Sequence, residues 1–282
     1  MLPIKSIVIA GSFIAAVLAT AAFTARSVHA GARLQATSNV PVGSDVPADP
    51  GFAVVELFTS EGCSSCPPAD DLVARVQKED KDRPVYLLAF HVDYWDRLGW
   101  KDVFSSAAYS DRQRQYASWL KLQSVYTPQI VVNGRKEFVG SEASTLRSTI
   151  EQDLAAPAPL SNGNLKLYNG NLKLSISNLK KEGNKLEWSW QTEGSKKGLS
   201  LVVALVQHSA TTNVKAGENG GHTLSHVQIV RNLQSVSLNG KSNGVGQMDW
   251  SGAITTGEAE VIAFLQNEDN GEIVAATRSN IQ

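Results

Sequence analysis

The hydrophobic pattern of the chain changes once, near Ala155–Pro159, and this change limits the folds that the chain can adopt. Before that point, short apolar runs alternate with segments of helical period. After it, apolar runs are separated by Asn-Gly dipeptides, and no helical period is convincing. The pattern predicts an α/β domain over residues 52–157, followed by an all-β, sandwich-like domain over residues 158–282.

The first domain is predicted to follow the order β-α-β-α-β-β-α. The first two strands should be parallel, because a helix connects them, and Asn133-Gly134 predicts a hairpin between the last two. The predicted strands are Ala53–Thr59, Pro84–His91, Gln129–Val132 and Lys136–Val139, and the predicted helices are Asp71–Lys78, Tyr109–Leu122 and Ser141–Leu154.

The second domain is predicted to contain antiparallel strands only, as in a β-sandwich. The predicted strands are Leu165–Leu167, Leu172–Ile176, Leu186–Gln191, Ser200–Gln207, Gln228–Leu233, Val236–Leu238 and Glu260–Gln266.

The N-terminus has the pattern of a secretory signal. A positive start at Met1–Lys5 is followed by an apolar run at Ile7–Phe23 and by the small-x-small pattern Val28-His29-Ala30. We expect a cleaved signal at residues 1–30, a spacer at 31–51 and a periplasmic or secreted protein. An uncleaved anchor is the alternative. No other stretch approaches 18 apolar residues, so no membrane span is expected after cleavage.

Composition excludes several classes of protein. The 26 Lys and Arg residues nearly balance the 27 Asp and Glu residues, which argues against a nucleic-acid-binding protein. The chain has only 2 cysteines, too few for a disulfide-rich miniprotein or a Cys₄ zinc site.

Those two cysteines form the motif Cys63-Ser64-Ser65-Cys66, which follows the first strand and precedes the first helix. The partial positive charge of a helix N-terminus favours the thiolate that attacks disulfides. In an exported chain this placement indicates thiol–disulfide exchange, because disulfides persist outside the cytosol. By itself the motif is also compatible with half a zinc site or an inert bridge.

A second motif, Thr127-Pro128, lies directly before the third strand. With the dithiol and the element order, it makes Phe52–Ala155 resemble the thioredoxin superfamily. The resemblance implies a cis Thr127–Pro128 bond opposite the cysteines, with Thr127 offering its backbone to the substrate. The whole chain resembles an exported bacterial family known as domain of unknown function 1223, through the blocks Gly62–Asp70 and His91–Asp96.

The leading hypothesis is an exported thiol–disulfide oxidoreductase that needs no organic cofactor and acts on exported proteins or small thiols. Cys63 would be the nucleophile and Cys66 the resolving thiol, with Cys63 the more exposed of the two. Glu56 shares a strand face with Val54 and Phe58, so it would be a buried carboxylate. It would either pass protons to Cys66, as a buried acid does in thioredoxin, or form a structural ion pair.

Other residues leave alternatives open. Asp93 and Trp95 follow the second strand and would line a substrate site or pack under a loop. His91 is there too, and with Cys63 and Cys66 it gives the alternative of a copper-binding chaperone. A binding module with a structural disulfide is a third hypothesis. His222 and His226 are expected to be surface residues of a hairpin loop, with metal binding the alternative.

Overall fold

The computed structural model of the protein describes residues 51–156, 172–194, 197–250 and 254–281. The predicted signal segment, nearly all of the predicted spacer, the strand Leu165–Leu167 and the boundary after residue 157 lie outside these ranges. None of the helices in the described ranges is long and apolar enough to span a bilayer.

The first half of the chain, here residues 51–156, has the predicted order of helices and strands, with a 3₁₀ helix added at Asp93–Leu98. Strands β1 and β2 are parallel, whereas β3 is antiparallel to both β1 and β4. The bounds are β1 Ala53–Thr59, α1 Pro67–Glu79, β2 Val85–His91, α2 Ala107–Leu120, β3 Gln129–Val132, β4 Lys136–Val139 and α3 Ala143–Ala155.

The first helix begins four residues earlier than the sequence pattern predicts. Cys66 is its N-cap, and Pro67 and Pro68 occupy its first two positions. Proline fits there because the first turn of a helix does not use its N–H groups, so these prolines are part of the helix. The cysteine pair therefore lies directly at the N-terminus of α1.

The described part of the second half consists of seven strands and a short 3₁₀ helix at Thr256–Glu258. The separate strands predicted at Gln228–Leu233 and Val236–Leu238 form a single strand, β8. The pattern did not predict β9 or β11. The bounds are β5 Lys173–Glu182, β6 Lys185–Glu193, β7 Leu199–Asn213, β8 Thr223–Ser237, β9 Asn243–Asp249, β10 Ala259–Asn267 and β11 Ile273–Asn280.

The architecture is mixed α/β, with an eight-stranded mixed sheet in the order β11-β10-β7-β8-β2-β1-β3-β4 and a three-stranded antiparallel sheet in the order β5-β6-β9. The large sheet contains strands of both halves, because β8 pairs in parallel with β2 at Ala89 and Ile229. The two predicted domains therefore share one sheet, and the position of the boundary between them stays a prediction.

Three apolar clusters hold these layers together. One lies between the three-stranded sheet and the second-half strands of the large sheet, as expected for a sandwich, and includes Trp188 and Leu205. The other two lie on opposite faces of the first-half strands, against α2 on one face and against α1 and α3 on the other. The C-terminal ends of β1 and β2 are thus fixed in position beside the start of α1.

Candidate functional site

Cys63 and Cys66 form a disulfide, with 2.19 Å between their sulfur atoms and 5.4 Å between their Cα atoms. They lie in the loop from Ser60 to Cys66, here called the dithiol loop. Backbone hydrogen bonds fold this loop into tight turns: the Cys63 N–H donates to the Ser60 carbonyl, and the Cys66 N–H donates to the Cys63 carbonyl.

Both cysteines are fully buried, each with 0% of its surface exposed. The expectation that Cys63 would be the more exposed of the two is therefore wrong for this disulfide state. Ser64 and Ser65 between them are exposed. An incoming reagent consequently meets the two serines before it meets either sulfur.

Residues of the second half cover the dithiol loop. The segment 214–222, here called the cap loop, joins β7 to β8. Its Asn219 side chain donates hydrogen bonds to the carbonyls of Glu61, at 2.8 Å, and Cys63, at 3.0 Å. The Glu218 carboxylate accepts from the Ser64 N–H at 2.9 Å, and this hydrogen bond lowers the pKa of Glu218. Three backbone groups of the dithiol loop are thus held by the cap loop.

A buried group of ionisable side chains flanks the dithiol. His226 lies between two carboxylates, with Nε2 3.4 Å from Glu61 Oε1 and Nδ1 3.6 Å from Asp70 Oδ1. Burial acts to lower the pKa of His226, but Asp70 and Glu61 outweigh it and raise the pKa to about 9. His226 is 2% exposed. The expectation of a surface histidine is therefore wrong for His226, although His222 is exposed.

A second histidine–carboxylate pair lies beside the first. His91 Nδ1 is 2.6 Å from Asp102 Oδ2, and the rings of His91 and His226 are 4.8 Å apart. Burial acts to raise the pKa of Asp102, but His91 and the backbone N–H groups of Glu61 and Phe104 more than offset this and lower it. His91 is thus a buried strand-end histidine with a carboxylate partner.

The predicted substrate residues lie close to one another. The Thr127–Pro128 bond is cis, as predicted. The Trp95 indole N–H donates to the Thr127 hydroxyl at 2.8 Å, and the Trp95 Cβ lies 3.1 Å from where a Cβ on Gly62 would be. Trp95 therefore connects Thr127 with the dithiol loop. Asp93 is held differently, because it accepts a hydrogen bond from Ser110 of α2.

Glu56 is buried, as predicted from its place on β1, and it pairs with Arg112 of α2. Arg112 donates to both carboxylate oxygens, at 2.5 and 2.9 Å, and the Tyr116 hydroxyl donates at 2.5 Å. Of the two roles left open for Glu56, this geometry supports the structural ion pair.

A family model described as "Protein of unknown function (DUF1223)" matches residues 54–266. The chain belongs to this family. The Agrobacterium tumefaciens protein AGR_C_4864, known from a crystal structure, is 28% identical, with a TM-score of 0.58 over 80% of this chain and 92% of that one. A domain of the outer membrane lipoprotein Omp28 from Porphyromonas gingivalis is 12% identical, with a TM-score of 0.25 over 40% of this chain and 88% of that one. No curated protein matches the chain.

Membership of this family was predicted from the blocks around Cys63 and His91, and the match confirms it. The resemblance to the thioredoxin superfamily stays a prediction. As for metals, no group of three or more His, Cys, Asp or Glu side chains in the described ranges has a geometry that could hold an ion. The copper alternative therefore gains no support from this arrangement.

Sequence reasoning missed most of the side chains that surround the dithiol. Asn219, Glu218 and Asp102 were not singled out for this role, and their partners lie 41 to 158 positions away in the chain. One signal was available: Glu218–His222 stood out as a polar, glycine-rich loop before a strand. Nothing in the sequence indicated that this loop would reach the cysteines.

Proposed function

We propose that the protein is an exported thiol–disulfide oxidoreductase, in the periplasm or secreted, that acts through Cys63 and Cys66. One observation carries the proposal: the disulfide lies at the start of α1, and the buried carboxylates that flank it in the chain, Glu61 and Asp70, both face the buried His226. Burying charged groups costs free energy, and a disulfide that only links two residues structurally does not require charged groups beside it. A thioredoxin-like arrangement of residues 52–157 is part of the same proposal.

The exchange proceeds in two balanced steps. A thiolate of the partner attacks the Cys63 sulfur, a new S–S bond forms, and Cys66 leaves as a thiolate with the electron pair of the broken bond. A second thiolate of the partner then attacks the partner's own sulfur in the mixed disulfide, the partner's S–S bond forms, and Cys63 leaves as a thiolate with the electron pair of the broken bond. The partner ends oxidised, and Cys63 and Cys66 end reduced. The reverse sequence oxidises the protein and reduces a partner disulfide.

Local structure assists the first step. Cys66 is the N-cap of α1, where the partial positive charge of the helix stabilises a departing thiolate. Partners are exported proteins or small thiols, and the surface around Trp95, Thr127 and Pro128 is the proposed place for their chain. The proposal includes no organic cofactor, no nucleic-acid partner and no stable membrane span after signal cleavage. Because both sulfurs are buried, part of the structure has to move before a partner reaches them, and the cap loop, which is hydrogen-bonded to the dithiol loop, is the proposed part.

The test is a trapping experiment with the mature protein. Cys66→Ser removes the resolving thiol, so a mixed disulfide with Cys63 should accumulate when the reduced variant meets a disulfide-bonded exported protein. The Cys63→Ser/Cys66→Ser double variant is the matched control and should trap nothing. If Cys66→Ser also traps nothing, and the wild-type dithiol does not reduce the same substrate, the proposal is wrong.

A second candidate is a binding module in which Cys63–Cys66 is a structural bridge. The burial of both sulfurs favours this candidate, because exchange needs access. The two functions differ in reduction potential. A structural bridge should lie below about −300 mV and show no exchange, whereas an exchange site should equilibrate with glutathione.

A further inference from the structure

The two chain segments on either side of the dithiol each contribute a buried carboxylate to the same imidazole. Glu61 lies two residues before Cys63, and Asp70 lies four residues after Cys66 on α1. Both face His226, which β8 contributes from the second half of the chain. The His226 imidazole is therefore shared by a carboxylate just before the cysteine pair, Glu61, and one just after it, Asp70.

The side chains at this imidazole are only partly paired. Neither ring nitrogen of His226 makes a hydrogen bond within the described residues, and Glu61 Oε1 makes none either. Glu61 Oε2 accepts from the Trp100 indole, and Asp70 Oδ2 accepts from the Thr59 hydroxyl. Interactions with His226 at 3.4 and 3.6 Å are thus mainly electrostatic, and they act where little solvent screens them.

Three other ionisable side chains of the described residues lie near His226. His91 and Asp102 form the adjoining pair, and Arg231 of β8 stacks on Phe104, whose ring is 5.8 Å from that of His226. Asp70 is linked to Cys66 through the first turn of α1. Its N–H donates to the Cys66 carbonyl, and residues four apart on a helix lie on the same face, with Cβ atoms about 5–6 Å apart.

We propose that His226 is a positioning residue whose positive charge, balanced against Asp70 and Glu61, sets the equilibrium between the Cys63–Cys66 disulfide and its dithiol. This inference rests on the proposed function and names the side chain that controls it. Within the described residues, neither ring nitrogen of His226 makes a hydrogen bond to a sulfur. It acts through the two carboxylates that flank the cysteine pair.

The direction of the effect follows from the charges. Reduction by a dithiol converts the neutral disulfide into a thiol and a thiolate, oxidises the reagent to its disulfide and releases one proton. A nearby cation favours the thiolate, and a nearby carboxylate opposes it. Loss of His226 should therefore favour the disulfide, whereas loss of the Asp70 charge should favour the dithiol.

The experiment measures the equilibrium of the full mature protein with oxidised and reduced dithiothreitol at pH 7. His226→Gln should lower the equilibrium constant for reduction about 15-fold, the effect of one unit charge at an assumed separation of roughly 10 Å in an effective dielectric constant of about 20. Asp70→Asn should raise it, and the double variant should return toward wild type. His208→Gln, at a half-exposed histidine of β7, is the control and should change nothing.

Opposite signs distinguish electrostatics from structural damage. A variant that merely loosens the site would shift the equilibrium in the same direction for both substitutions. Shifts of one sign for both, or shifts below twofold, overturn the inference even if the wild-type dithiol exchanges normally. If one variant does not fold, the other must still shift the equilibrium in its own predicted direction relative to His208→Gln, and a shift of the opposite sign overturns the inference. A wild-type disulfide that resists dithiothreitol in the folded protein overturns the proposed function itself.

Discussion

Asn219→Ala should release the dithiol loop from the cap loop. The Asn219 side chain is almost fully buried and donates two hydrogen bonds, to the carbonyls of Glu61 and Cys63. Alanine removes both donors and leaves both carbonyls without these partners. The cap loop then keeps the exposed bond from Ser64 to Glu218 and the packing of Gly217 against Trp100.

The magnitude follows from those two hydrogen bonds. Each contributes about 1 kcal/mol net, so the free energy that keeps the cap loop closed should fall by about 2 kcal/mol. If reduction of the folded protein proceeds through opening of the cap loop, its rate should rise about 30-fold, since 1.36 kcal/mol corresponds to a factor of ten.

The assay is the rate at which dithiothreitol reduces the disulfide without denaturant, measured by labelling the thiols that form. Asn232→Ala is a matched control, because Asn232, farther along β8, also donates to a backbone carbonyl, that of Asp249 in β9. Leu186→Ala tests the alternative, in which the disulfide is reduced only after the whole protein unfolds. It should destabilise the whole protein by about 2–5 kcal/mol through the core between the two sheets, and it leaves the cap loop intact.

Local opening predicts that only Asn219→Ala accelerates reduction strongly. If Leu186→Ala accelerates it as much, reduction requires global unfolding, and the disulfide is a structural bridge. A rate for Asn219→Ala within twofold of wild type would refute the role given to the cap loop.

Three further predictions concern buried charges. Arg112→Met should lower the free energy of unfolding by about 3–5 kcal/mol, because Glu56 is left buried without its cation, and Glu56→Met in addition should restore most of it, as measured by urea denaturation. Glu56→Gln should leave the resolution of a mixed disulfide unchanged, and slower resolution would instead support proton transfer by Glu56. The pKa of His226 is raised from 6.5 to about 9, so the stability it contributes is complete below about pH 6.5 and is lost as the pH rises toward 9. Urea denaturation of the oxidised protein should show this loss, at most about 3 kcal/mol, and an equal loss in His226→Gln would contradict it.

The first half of the fold was predictable because its signals are local. Apolar runs, helical periods and Asn133-Gly134 gave the correct element order, and the alternation along β1 gave the correct face for Glu56. Arg112, the partner of Glu56, lies 56 positions away, and no local pattern identifies it. The burial of Glu56 was therefore predictable from the sequence, but its pairing with Arg112 was not.

Strand β9 was not predicted because its sequence, Asn243–Asp249, contains two glycines and few β-branched residues. Glycine weakens a β-strand, so it lowers the strand propensity of a sequence considered alone. Here, however, Gly244 and Gly246 pair with Trp190 and Trp188 of β6. A Cβ at either glycine would lie within 3 Å of an indole ring. The close approach of the large side chains requires the glycines, and only the paired strand reveals this.

The cap loop and His226 belong to the same β7–β8 hairpin, but fewer interactions hold the cap loop in place than hold His226. Strand β8 pairs with β7 along its length and with β2 at Ile229, so His226 belongs to the interior of the large sheet. The cap loop is held at its base by two backbone hydrogen bonds, from Val214 to His222 and from Gly221 to Val214. Beyond this base, its contacts with the dithiol loop are the side chains of Asn219 and Glu218. Opening can therefore be confined to residues 215–220 while the base of the loop and the sheet stay paired. Such an opening would uncover the disulfide and leave the buried charges beside it in place, as a gated exchange site requires.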